Sequence, residues 1–390
     1  MKKILGMLLC MFLAAGLFAK QFGLVLSGGG AKGAYEVGVW KALDDYGITD
    51  EIKVISGSSV GALNAALFTC TDSKTAEKLW REEVGYSSFL MPDTSSFSEV
   101  ASFAVRNAKN NLGKKQMEDN PYGLSENLSE SDSELIRSIL DGLTFVADTG
   151  LGLAKGTLNN ISEYIFSSAH SDGLFTRDAL SELMGKYVTL GKINKSGIDV
   201  YATAIPKDGQ LLLNALFKFF GADSVCYFKL NEQLNDENVH SILMASSSFP
   251  LIYDSTLLPS DVIEDGEQVG KSYEYIDGGF ESVGGRNTPV APLALRSDVD
   301  TILIVYLKSE QELNNSVSEY FVDDEELNGK AKIEIIPSKN LGDLINGTVN
   351  FDPDNISDLI DLGYEDTCAV LEKNGYTKLN GIRRFFKKIF

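Results

Sequence analysis

Two short apolar runs near the start of the chain each stop at glycines and give way to a helical pattern. This repetition limits the fold more than any other feature of the sequence. Phe22-Gly23-Leu24-Val25-Leu26 leads through Ser27 into Gly28-Gly29-Gly30-Ala31-Lys32-Gly33, and Ile52-Lys53-Val54-Ile55 leads through Ser56 into Gly57-Ser58-Ser59-Val60-Gly61. Runs this short and this apolar read as buried strands, and the glycines permit the tight turns that end them. Val37, Trp40, Lys41 and Leu43 to Tyr46 carry a helical pattern after the first run, with Gly47 as its stop. After the second run Leu63, Ala66, Leu67 and Cys70 recur at helical spacing.

Strand, helix, strand, helix predicts an α/β fold with a mostly parallel central sheet and helices on both faces. Further strands are predicted at 200–203, 227–230, 301–307 and 333–336, and a helix at 357–374, so the sheet should continue through most of the chain. With 390 residues, 44% of them hydrophobic, there is enough apolar side chain for one large core. Between Phe89 and about Ser171 the texture turns to Ser, Asn and Gly with scattered helical stretches such as Ile136, Ile139, Leu140 and Leu143. That segment reads as a helical insertion, either a lid over a site or a block packed on the parent domain.

Both ends carry signals of their own. Lys2 and Lys3 precede an apolar run from Ile4 to Phe18 that closes on small residues, the order of a secretory signal peptide over residues 1–19. Leu17 stands where a small residue is preferred three places before the cut, which leaves a retained anchor as the alternative. Export leads to the expectation of a periplasmic or secreted protein. At the other end, Ile382, Phe385, Phe386 and Ile389 would share one helix face, with four cations on the other. The 382–390 tail is thus either a peripheral membrane contact or a segment docked on its own domain. The net charge of −20 excludes nucleic acid as a natural partner. Outside the leader, Cys70, Cys226 and Cys368 are too few for a disulfide framework and read as small buried hydrophobes.

Three motifs bear on chemistry. Gly57-Ser58-Ser59-Val60-Gly61 fits G-x-S-x-G between a strand and a helix, where small neighbours at Gly57 and Gly61 let the chain turn sharply and expose Ser59. The helix N-terminus would then help stabilise negative charge on an attacking oxygen. Gly28-Gly29-Gly30-Ala31-Lys32-Gly33 matches G-x-G-x-x-G, so dinucleotide binding has to be weighed. A ribose-binding acid should close the second strand, yet that strand ends at Ile55-Ser56-Gly57. The reading preferred for Gly28, Gly29 and Gly30 is an oxyanion loop, with Lys32 adding a positive charge and Gly33 completing the turn. The third motif is Asp277-Gly278-Gly279, which alone is an ordinary turn.

A serine nucleophile usually has a histidine as its base, and here only His170 and His240 exist. Neither follows Asp277, and His240 reads more simply as a helix-start residue. A carboxylate within hydrogen-bond reach of the hydroxyl can serve instead, which makes Ser59 and Asp277 a candidate dyad.

In this order the glycine loop, the serine elbow and the Asp-Gly-Gly turn resemble the patatin-like phospholipase family. Met244-Ala245-Ser246-Ser247-Ser248-Phe249-Pro250 and Arg286-Asn287-Thr288-Pro289-Val290 are similar to its alanine-serine segment and its Asn-x-Pro stretch. The resemblance covers 22–307 and implies a three-layer α/β hydrolase domain there and a lipid or phospholipid substrate, while the alternation beyond it reads as a C-terminal α/β extension over 308–380. The resemblance also implies that Ser59 is the nucleophile, Asp277 the proton acceptor and Gly28 to Gly30 the oxyanion loop, with no cofactor and no metal. The readings left standing beside it are a dinucleotide-binding protein and an inactive exported interaction protein on the same scaffold.

Overall fold

The computed structural model describes residues 20–92, 175–207, 224–249, 252–280, 284–315, 321–342 and 344–379. The predicted leader, almost all of the 89–171 insertion and the 382–390 tail lie outside the described residues. The strands of the main sheet, in chain order, are β1 (Phe22–Leu26), β2 (Ile52–Gly57), β3 (Asp199–Pro206), β4 (Cys226–Lys229), β5 (Thr256–Leu258), β6 (Tyr273–Asp277), β7 (Thr301–Val305) and β8 (Ala331–Ile335). Among the described residues the helices of ten residues or more are α1 (Gly33–Asp45), α2 (Val60–Cys70), α3 (Ser73–Glu82), α4 (Asp178–Tyr187), α5 (Asp236–Ser246) and α6 (Pro353–Lys373).

The sheet runs in the order β8-β7-β1-β2-β3-β6-β5, with β4 also paired to β3. Its first five strands are parallel, as the strand-helix alternation requires. Strands β4, β5 and β6 join antiparallel, β4 along the first part of β3 and β6 along its end. Because the chain steps from β1 to β2 on one side and returns as β7 on the other, the order reverses beside β1. Open α/β sheets form their ligand crevices at such a point, beyond the carboxyl ends of the strands.

Alternation within the strands divides the core. Leu24 and Leu26 of β1 join a large cluster that takes in residues from all six long helices, whereas Val25 joins a second cluster with Val54, Ile302 and Ile304. The second face is covered by the short helices Ala291–Ala294 and Glu310–Asn315 and by the loop around Val322 and Leu327.

Helix α6 starts one turn earlier than its periodicity suggests, because Asp352 caps it through Oδ1 and Pro353 occupies the first helical position. It lies against α1 with the two backbones in contact: a Cβ on Gly38 would fall 2.0 Å from the Ile360 carbonyl oxygen, and one on Gly363 2.0 Å from that of Tyr35. Tyr35, Tyr46 and Tyr364 tie the pair at 3.0, 2.8 and 2.6 Å to Asp366, Glu372 and Asp45. Cys70, Cys226 and Cys368 are unpaired and half-buried rather than fully buried.

Candidate active site

Strand β2 hands over to α2 at Ser59, whose backbone is held at φ 53° and ψ −127°. An L-residue in this region costs on the order of 1–3 kcal/mol and persists only where its surroundings enforce it. Two close approaches do so. A Cβ on Gly57 would lie 2.3 Å from the Gly61 carbonyl, and one on Gly61 would lie 2.4 Å from the Leu26 carbonyl oxygen, so only glycines let the turn close onto β1. The Ser59 amide donates to Ser246 Oγ at 3.1 Å, which pins the elbow to the end of α5. Ser58 accepts from Thr203 Oγ1 at 2.7 Å and turns inward. Ser59 is thereby left partly accessible at the mouth of α2.

The register of β1 on β2 sets Leu26 beside Gly57, so the glycine loop emerges next to the elbow. A Cβ on Gly28 would come 3.0 Å from Ser59 Cβ. The Gly28 amide donates to Asn287 Oδ1 at 3.0 Å, and Asn287 Nδ2 returns a bond to the Gly28 carbonyl at 3.3 Å. The amides of Gly29 and Gly30, by contrast, have no acceptor among the described residues, which leaves them open to a ligand oxygen. Gly30 sits at φ 58° with the Thr348 carbonyl pressed on it from the C-terminal segment. Lys32 is buried and lines the same cavity, and the Gly33 carbonyl accepts from Asn64 Nδ2 at 3.0 Å.

Asp277 closes β6 and is 2% exposed. Its amide donates to the Ser248 carbonyl at 3.0 Å, and its Oδ1 accepts from the Gly279 amide at 2.7 Å. Gly278 is packed on Thr203, where a Cβ would fall 2.2 Å from Oγ1, so the turn can leave the sheet only without a side chain there. The carboxylate's Oδ2 is buried and makes no hydrogen bond of ordinary geometry among the described residues. Burial pushes the carboxyl from 3.8 up to about 7, while the neighbouring Ser59 hydroxyl and the Gly279 amide hold it lower than burial alone would. The Ser59 hydroxyl is thus near enough to favour the charged carboxylate, which keeps one buried oxygen without a partner among the described residues. Such an arrangement can accept a proton.

Ser59, Asp277, Gly28 to Gly30 and Gly279 open onto one cavity of about 340 Å³ whose lining is mostly apolar, with Leu63, Phe89, Ile252 and Phe351 among its residues. His240 does not line it. It sits in the second turn of α5 rather than at the helix start, with Nε2 2.9 Å from the Val188 carbonyl oxygen. His170 lies outside the described residues. Among the described residues no group of three or more His, Cys, Asp and Glu could hold a metal ion, and no helix is long and apolar enough to cross a membrane.

Several supporting residues have roles that motif reading does not assign. Ser246 and Ser248 lie in the alanine-serine segment and hold the amides of Ser59 and Asp277, one each. Behind the glycine loop, the Glu36 carboxyl is fully buried and pushed well up by desolvation. Its Oε2 accepts at 2.8 Å from Asn64 Nδ2, while Asn64 Oδ1 accepts from Trp80 Nε1 at 3.0 Å. That network fastens α1, α2 and α3 together behind the loop. A glutamate inside an otherwise apolar helix pattern was the only signal for it.

Fold and site together define a mixed α/β protein with a serine elbow, a glycine loop and a buried aspartate at the carboxyl edge of its sheet. The family model described as patatin-like phospholipase matches residues 24–294, and the chain belongs to that family. A 56-residue stretch is 52% identical to lysophospholipase nte1 of Aspergillus terreus, and 60 residues are 45% identical to neuropathy target esterase sws of Drosophila sechellia. These matches cover 14% and 15% of this chain but 4% of each relative, so the chain spans only a small part of those proteins. Among solved structures it is similar to VipD from Legionella pneumophila, with a TM-score of 0.45 and 14% identity over 91% of this chain and 67% of that one. It is also similar to the human GIVD cytosolic phospholipase A2, with a TM-score of 0.43 and 9% identity over 91% and 62% of the two chains.

Proposed function

We propose that this protein is an exported lipid acyl hydrolase that cleaves carboxylic esters through Ser59 and Asp277. The observation that carries the reading is the meeting, on one apolar cavity, of a strained Ser59 with a buried carboxylate whose Oδ2 has no other partner. Membership of a phospholipase family and the lysophospholipase relatives support lipid as the substrate class. The leader pattern supports export.

In the first step Asp277 Oδ2 accepts the Ser59 proton as the serine oxygen attacks the ester carbonyl. The tetrahedral oxyanion is held by the amides of Gly29 and Gly30 and by the N-terminal end of α2. Collapse expels the alcohol portion of the lipid, which takes the proton from Asp277 and leaves an acyl group on Ser59. Water then attacks the acyl-enzyme, giving a proton to Asp277, and collapse releases the fatty acid as Asp277 returns that proton to the departing Ser59 oxygen. The raised proton affinity of Asp277 suits it to both directions of transfer near neutral pH. Dinucleotide binding is disfavoured because β2 ends at Gly57 with no acidic residue in place for a ribose, and because the loop faces Ser59.

The test is to incubate lipid extracts with purified protein and with Ser59→Ala, and to compare the products by mass spectrometry. Free fatty acid and deacylated lipid should accumulate with the wild type only. Equal product from both proteins would overturn the assignment.

A further inference from the structure

Part of the cavity's apolar lining serves a second space as well. Phe89 and Leu63 line both the 340 Å³ cavity that opens at Ser59 and a separate void of about 20 Å³ between α2, α3 and α4. That void is lined mainly by apolar side chains, Leu67, Leu79, Leu180 and Met184 among them, with Asn64, Trp80 and Tyr187 also in its wall. Leu63 and Phe89 are thus common to the walls of the two spaces.

Phe89 is held in place. The Phe89 ring is stacked on Phe351 at 4.6 Å between centroids and 13° between planes, and it leans on Trp80 at 6.4 Å. The Phe89 carbonyl accepts a hydrogen bond from Tyr253, which also lines the cavity and faces the Arg177 guanidinium at 5.4 Å. Phe89 and Phe351 are 6% and 2% exposed. Phe351 comes from outside the stretch matched by the family model, so one half of the stack is supplied by the C-terminal segment.

We infer that the Phe89–Phe351 stack is an acyl-chain gauge. The pocket takes one acyl chain of limited length, the end of the chain meets this stack, and the void behind it is closed to substrate. The cavity's volume lies at the low end of ligand pockets, which run from about 300 to 1,000 Å³, and suits one chain rather than two side by side. This rests on the acyl hydrolase reading and assigns its specificity to two named residues. Each methylene that finds apolar room is worth up to about fourfold in kcat/KM, so a floor at fixed depth produces an optimum in chain length.

The experiment is a ladder of p-nitrophenyl esters from acetate to palmitate, with each variant's rates normalised to its own butyrate rate. Wild type should show an optimum followed by a fall at longer chains. Phe89→Ala opens the shared wall and should move the optimum longer by about two carbons or more, each worth up to about fourfold. Phe351→Leu and Phe89→Leu, which keep the site filled, should move it the same way by less, and Phe89→Trp should move it shorter. A wild type active on the ladder, with Ser59→Ala inactive but all four stack variants retaining the wild-type profile, would overturn the gauge and leave the hydrolase standing. A wild type that cleaves no ester better than Ser59→Ala would overturn the hydrolase reading and the gauge with it.

Discussion

Replacing Asp277 with asparagine should abolish ester hydrolysis and, above neutral pH, stabilise the protein. Asparagine has nearly the shape of the protonated carboxyl and carries no charge, so it fits a site that is 2% exposed. In the folded protein the Asp277 carboxyl is pushed from 3.8 up to about 7, chiefly by burial. Folding therefore favours its protonated form. Below about pH 4 both folded and unfolded chains carry the proton and the group is neutral in the balance. Between about pH 4 and 7 the unfolded chain releases the proton while the folded one keeps it, and wild-type stability falls by about 1.4 kcal/mol per pH unit from this group. Above pH 7 the loss levels off at roughly 4 kcal/mol, three pH units at that slope.

Asp277→Asn escapes this loss, so its advantage over wild type should be absent at pH 4, grow to pH 7 and then stay level. Urea unfolding of both proteins at intervals from pH 4 to 8.5 measures it. The wild-type kcat/KM should trace the same titration from the other side, since the base must be unprotonated. It should fall about a hundredfold from its plateau by pH 5. A stability difference that does not change with pH, or a wild-type rate still on its plateau at pH 5, would refute the buried-base argument.

Ser59→Gly should be inactive yet more stable than wild type by about 1–2 kcal/mol in thermal unfolding, because glycine adopts the elbow's backbone without strain. Asn287→Ala removes the clamp on Gly28 and should lower kcat/KM by about ten- to a hundredfold, mainly through kcat in steady-state kinetics on a soluble ester, because the loop is displaced from the developing oxyanion. Replacing His170 and His240 together should leave substantial activity in the same assay. A folded but dead double variant would refute the two-residue dyad.

The parallel half of the sheet and the elbow were legible because local sequence determines them. Apolar runs stopped by glycines give β1, β2 and their turns, and Gly57 and Gly61 are where the chain must touch itself. Asp277 was visible only through the family pattern, since Asp-Gly-Gly alone is an ordinary turn. Its chemistry comes from depth, set by β6 pairing antiparallel to β3 and by Ser248 at its amide. The antiparallel placement of β4 and β6 could not be read, because orientation is a property of the connections and not of the strands. Phe89 and Phe351 stand 262 positions apart in unremarkable sequence, and a stack between them exists only after folding. His240 shows the opposite limit: its residue type drew notice, but its ring is spent on a backbone carbonyl.

The position of β1 has a consequence in time. The first strand made is flanked by β2 on one side and by β7 on the other, so its second neighbour is residues 301–305. At synthesis rates of about 5–20 residues per second, a growing chain carries Ser59 for roughly tens of seconds before that neighbour emerges. Asp277 and the Asn287 clamp also arrive late. For the hydrolase proposed above, this strand order delays assembly of the site until residues 301–305 have been made.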